Sequence, residues 1–127
     1  MVPTTRLFEH ADDAKAVAAG TTIFHRGDPR DAMYAVLDGE VDIIVNGKIV
    51  ETVGRGGIFG EMALIVGENR TATAVAKTDA KLVAVDERRF LFLVQQTPNF
   101  SLHVMRVLTE RLRSMDERFV RATRPEA

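Results

Sequence analysis

The chain has 127 residues, enough for one domain with a buried core and too few for two ordinary ones. With 46% apolar and 28% charged residues it has the mix of a folded globular protein, and a net charge of −1 argues against non-specific nucleic-acid binding, which needs a positive field. The lack of cysteine excludes a disulfide scaffold, a thiolate metal site and a Cys nucleophile.

The N-terminal 20 residues are Ala-rich and acidic. Asp12 and Asp13 before Ala14-Lys15-Ala16 suit one helical turn, whereas Ala16 to Ala18 suits a strand leading into the next segment; both readings stand. From Thr21 to Asp86 turns recur every 8 to 12 residues. Thr21-Thr22-Ile23-Phe24 is β-rich, and Gly27-Asp28-Pro29 is a turn. Met33 to Leu37 reads as a strand ended by Asp38-Gly39. Val41 to Val45 and Lys48 to Val53 flank Asn46-Gly47, a hairpin signal because both residues tolerate the positive φ of a type I′ turn. Gly54, Gly56, Gly57 and Gly60 follow, and Thr71 to Val75 and Lys81 to Val85 supply two more strands. Many short strands at regular spacing predict a sandwich or barrel.

The last third is helical. Asp86 is placed to cap a helix over Glu87 to Gln96, and Thr97-Pro98 restarts the chain with Pro at the first helical position. A longer helix is predicted from Pro98 to about Arg121. Its apolar residues Met105, Leu108, Leu112, Met115 and Phe119 step by three and four, a stripe that suits packing on the β layer or a dimer seam. Its basic residues have helical neighbours to pair with, Arg113 with Glu117 and Glu117 with Arg121.

One stretch carries chemistry: Phe59-Gly60-Glu61-Met62-Ala63-Leu64-Ile65-Val66-Gly67-Glu68-Asn69-Arg70-Thr71-Ala72-Thr73-Ala74. Glu61 to Ile65 is long enough for a short helix, whose free N–H groups after a glycine cluster suit an anion. Arg70 opens a strand with a guanidinium that can fork onto a phosphate, Thr71 adds a hydroxyl, and Glu61 offers an acceptor for sugar hydroxyls. Together they describe a nucleotide pocket. The same spacing also fits a loop with a surface ion pair, worth about 0–1 kcal/mol.

These residues resemble the phosphate-binding cassette of cyclic nucleotide-binding domains. The resemblance runs from about Leu7 to Arg113 and includes Ile23-Phe24 with Gly27-Asp28, and Met33-Tyr34 through Leu37-Asp38-Gly39-Glu40-Val41. It implies an antiparallel β-roll (jelly-roll-like) over about residues 16–86, flanked by a short N-terminal element and two C-terminal helices over about 87–121, one domain in all. It implies that Glu61 accepts from a ribose 2′-OH and Arg70 pairs with the cyclic phosphate. Phe59 belongs to the cassette. Gly60 and the backbone of Met62 and Ala63 would line the phosphate end, with Thr71 and Ala72 beside the phosphate and base. Thr at position 71 goes, by resemblance, with response to cyclic GMP, and Ala with preference for cyclic AMP. The long helix would report binding by moving.

Two departures stand out. Relatives of the catabolite activator carry a helix-turn-helix after the long helix, and this sequence ends at Ala127, so the resemblance extends to ligand binding and not to DNA binding. The segment before the roll is also shorter than in channel and kinase regulatory domains.

The expected protein is therefore a non-enzymatic cyclic AMP or cyclic GMP sensor in the cytoplasm. It needs no cofactor beyond its ligand, has no membrane span, and acts on a separate effector or on a second copy through the C-terminal helix. The alternative is a β-roll interaction module with an unoccupied pocket. His10, His25 and His103 lie far apart, as surface or rim residues rather than the convergent ligands of a cupin-like metal site.

Overall fold

The computed structural model describes Phe8, residues 12–29 and residues 31–123, with backbone alone at 63, 66 and 115–123. Among them, eight strands form two antiparallel sheets: β1 (Lys15–Val17), β2 (Thr22–Phe24), β3 (Met33–Asp38), β4 (Val41–Val45), β5 (Lys48–Val53), β6 (Ile58–Phe59), β7 (Thr73–Ala76) and β8 (Ala80–Val85). One sheet runs β1-β8-β3-β6 and the other β2-β7-β4-β5. A short helix α1 (Glu61–Val66) interrupts the strands, and α2 (Glu87–Gln96) and α3 (Pro98–Thr123) follow them. This is the expected β-roll with C-terminal helices. The N-terminal ambiguity resolves as a strand: Lys15 to Val17 pair with Leu82 to Ala80.

The hairpin between β4 and β5 forms where Asn46-Gly47 predicts it, with φ of 52° and 76° at the two residues. Burial along β8 follows from the two core lobes, Ala80 and Leu82 belonging to one and Val83 and Val85 to the other. Along β8 the buried positions are Ala80, Leu82, Val83 and Val85, with Lys81 and Ala84 facing solvent. Strand β6 has no counterpart in the sequence reading. Two residues between glycines carry too little pattern, and they become a strand only because Phe59 and Ile58 pair with Tyr34 and Ala35 of β3.

The core has two lobes. Between the sheets lie Phe24, Val36, Val41, Val53, Phe59, Ala74, Ala80 and Leu82. The second lobe joins one sheet to the helices through Met33, Ile58, Val83 and Val85, Leu64 of α1, and Phe100 and Val104 of α3. The side chain of Asp86 caps α2 by accepting from the Arg89 N–H at 2.8 Å. The Thr97 carbonyl accepts from the Phe100 N–H at 2.9 Å where α3 begins at Pro98.

The α3 stripe divides between packed and exposed positions. Phe100, Val104, Val107 and Leu108 face the roll, whereas Met105 is 55% and Leu112 60% exposed. The helix thus has two apolar faces, and the periodic stripe drew residues from both. Met115 and Phe119 have side chains outside the described residues. So does Glu117, and with it the Arg113–Glu117 and Glu117–Arg121 pairs; Arg113 reaches Glu110 at 3.6 Å. His10 is also outside them, and among the described residues no His, Cys, Asp and Glu side chains cluster as metal ligands. His25 is exposed, and His103 is half-buried.

Candidate functional site

The glycine-rich approach, α1 and the loop after it set the Arg70 side chain against the backbone of Gly60, the residue before Glu61. Arg70 is not on a strand, as its sequence position suggested; β7 begins three residues later at Thr73. Its backbone is instead pinned to the Gly27-Asp28 turn. The Arg70 N–H donates to Asp28 O at 2.9 Å, and the Gly27 N–H donates to Arg70 O at 2.8 Å. The turn is itself closed by Asp28, whose carboxylate accepts from the His25 N–H at 2.9 Å.

With its backbone fixed, the Arg70 side chain runs inward and is 3% exposed. Its Nη1 donates to Gly60 O at 2.9 Å. Its Nη2 donates to Asp31 Oδ1 at 2.9 Å and to Ala32 O. The guanidinium carbon lies 4.0 Å over the Phe24 ring. Asp31 is 74% exposed, so that ion pair is the weakest hold on the arginine. Gly60 is required here: its φ is +79°, and a Cβ would stand 2.7 Å from Arg70 Nη1 and 3.3 Å from the Phe24 ring.

Glu61 opens α1 and is 2% exposed. It does not pair with Arg70. Its Oε1 accepts from Nη1 of Arg111, which reaches down from α3. The same guanidinium is held by Glu51 on β5, with Nε to Oε1 at 2.8 Å and Nη2 to Oε2 at 3.0 Å. Nη2 also donates to Ile58 O at 2.5 Å. Burial alone would lower the Arg111 pKa; the Glu51 hydrogen bonds and the charges of Glu61 and Glu51 outweigh it, so the net shift is upward and Arg111 stays a cation. Glu61 Oε2 and Arg70 Nε are both buried without a hydrogen-bond partner. The surface ion pair that the spacing also allowed is therefore not what forms: both groups are interior, each with a different partner.

The other cassette residues divide by face. Phe59 points into the core and stacks on Tyr34 with ring centres 5.3 Å apart, so its side chain belongs to the core. Met62 is exposed on α1, Thr71 is exposed and Ala72 half-buried on the bend before β7, and Ala63 contributes helix backbone. Asp31, Glu51 and Arg111 were not singled out in the sequence. Asp31 is separated from Arg70 by 39 positions and Arg111 from Glu61 by 50, and no local pattern joins them. Only Arg111 left a trace, lying in helical register with Val104, Val107 and Leu108 on the packed face of α3.

Beside Arg111 a groove of about 230 Å³ opens between α3 and the β5–β6 connection, bordered by Glu51, Val53, Arg55, Ile58 and Val107.

A family model described as a cyclic nucleotide-binding domain matches residues 14–97. Among solved structures the chain is similar to the catabolite activator protein of Thermus thermophilus, at 31% identity over 84% of this chain and 52% of that one, with a TM-score of 0.74. It is similar to a cyclic nucleotide-binding domain from Methylobacillus flagellatus KT, at 27% identity over 89% and 68%, TM-score 0.75. It also matches the EAL enzyme Bd1971 in a cAMP-bound form (33% identity, 81% and 29% covered, TM-score 0.60) and a cGMP-bound form (32%, 82% and 29%, 0.62). The chain spans about half the length of the Thermus protein.

Proposed function

Because the chain belongs to the cyclic nucleotide-binding domain family, we propose that it is a non-enzymatic sensor that binds cyclic AMP or cyclic GMP in the Phe59–Ala72 cassette. Glu61 accepts from the ribose 2′-OH and Arg70 pairs with the cyclic phosphate. Gly60 and the backbone of Met62 and Ala63 line the phosphate end, and Thr71 and Ala72 border phosphate and base. The observation that carries this reading is Glu61 Oε2, a buried carboxylate oxygen with no donor. Such an atom costs about 1–3 kcal/mol, which a ligand hydroxyl recovers. Arg70 is held in part by an exposed aspartate that a phosphate can displace. That the same relative is known in cAMP-bound and cGMP-bound forms supports either purine as ligand.

The output runs through α3. Leu64 of α1 shares a buried cluster with Phe100 and Val104, and Arg111 ties α3 to Glu61, so a ligand that shifts α1 or Glu61 biases the position of α3. The receiver is a separate cytoplasmic effector or a second copy. The exposed Leu102, Met105 and Leu112 favour the second copy.

Thermal melting tests the reading. A ligand that binds only the folded state stabilises it by about 2.7 kcal/mol at a hundred times its Kd, so the midpoint climbs with cyclic nucleotide concentration. A flat midpoint with both nucleotides refutes the assignment and leaves the roll as an interaction module.

A further inference from the structure

Two carboxylates share one guanidinium from the middle of α3, and the sharing is unequal. Arg111 gives Glu51 a two-pronged grip through Nε and Nη2, at 2.8 and 3.0 Å. It gives Glu61 one bond, from Nη1 to Oε1. Three of the four carboxylate oxygens have a donor; the fourth, Glu61 Oε2, is buried without one. A guanidinium free to turn would present a forked edge to Glu61 and occupy both of its oxygens, because that is the favoured geometry for a lone Arg–carboxylate pair. Glu51 takes the Nε–Nη2 edge, and Ile58 O takes a further Nη2 donor at 2.5 Å.

We propose that Glu51 is a positioning residue for ligand binding: by engaging the forked edge of Arg111 it keeps the guanidinium from chelating Glu61 and leaves Oε2 open to a ribose hydroxyl. The proposal rests on the reading that Glu61 is the ribose acceptor. Glu51 does not touch the ligand in this scheme. It sits on β5, in the opposite sheet from β6, and is linked to Glu61 through Arg111 of α3. Without Glu51, Arg111 and Glu61 form a one-to-one buried pair, and a ribose has to compete with the arginine for its acceptor.

The readout is the ratio of affinities for cyclic AMP and 2′-deoxy cyclic AMP, by calorimetry on the full chain. The wild type is expected to prefer the ribose form by about ten- to hundredfold, the range of one hydrogen bond to a charged acceptor. Glu51→Ala is expected to bring the ratio near one while the 2′-deoxy affinity stays within about twofold, and Glu51→Gln, with one acceptor in place of two, is expected to fall between. Melting curves accompany both variants, and if Glu51→Ala does not fold, Glu51→Gln carries the comparison. If Glu51 merely tethers α3, both affinities fall together and the ratio is kept; that result overturns the proposal. A wild type that binds both nucleotides equally also overturns it, whereas a wild type that binds neither removes the functional reading beneath it.

Discussion

Replacing Arg111 with alanine should destabilise the fold more than any other surface-accessible substitution in α3. Arg111 is 19% exposed and Glu61 2%. Removing one member of a buried pair typically costs about 3–5 kcal/mol, since the survivor is left charged and desolvated. Here the vacated side-chain volume admits some water, which lowers that figure, while Ile58 O loses a donor, which adds about 1 kcal/mol. Glu51, partly exposed, rehydrates at little cost. The expected loss is about 3–4 kcal/mol, or roughly 10–20 °C in Tm for a domain of this size. The control is the double variant Arg111→Ala with Glu61→Gln. Neutralising the stranded carboxylate should return at least half of the loss, although Glu61→Gln alone is destabilising. Urea unfolding followed by circular dichroism measures all four proteins. An Arg111→Ala variant within 1 kcal/mol of wild type, or a double variant no more stable than Arg111→Ala, would show that the buried charge is not what Arg111 compensates.

Arg70→Ala should weaken cyclic nucleotide binding by about 2–5 kcal/mol, with Arg70→Lys recovering only part because a point charge replaces a fork; equal affinities in all three proteins would refute this. Gly60→Ala places a Cβ 2.7 Å from Arg70 Nη1 on a backbone with φ +79°, so it should weaken both nucleotides alike and lower Tm, and calorimetry showing wild-type affinity would count against the Gly60–Arg70 contact as part of the site. Thr71→Ala should weaken cyclic GMP several-fold more than cyclic AMP if its hydroxyl accepts from the guanine 2-amino group, one neutral hydrogen bond being worth about 0.5–1.5 kcal/mol. Equal losses would leave Thr71 with the phosphate alone. Leu112→Ser, at an exposed position of α3, should convert dimer to monomer in sedimentation velocity; a wild type already monomeric rules out the α3 seam.

The elements legible in the sequence are those whose signal is local. Strands β4 and β5 begin and end where predicted because Asn46-Gly47 sets their turn and β-branched residues fill them. Asp86 marks the start of α2 because capping is a contact between near neighbours. The cassette was visible because Gly60, Glu61 and Arg70 lie within one short stretch and the family pattern spans them. What stayed hidden depends on chain segments meeting. Strand β6 exists through its pairing with β3. Arg70 sits before β7 rather than in it, because the Gly27-Asp28 turn captures its backbone. The exposed aspartate on Arg70 and the arginine on Glu61 come from distant positions, and the packed and exposed faces of α3 overlap in one helical pattern until the roll is in place.

The central claim is tested most directly by calorimetric titration of the wild-type chain with cyclic AMP and cyclic GMP side by side. Saturable binding of both nucleotides, with one site per chain and affinities within about tenfold of each other, is the predicted result, since the ribose and phosphate contacts are common to both and the base contact contributes one hydrogen bond. No binding of either nucleotide at millimolar concentration would contradict the account.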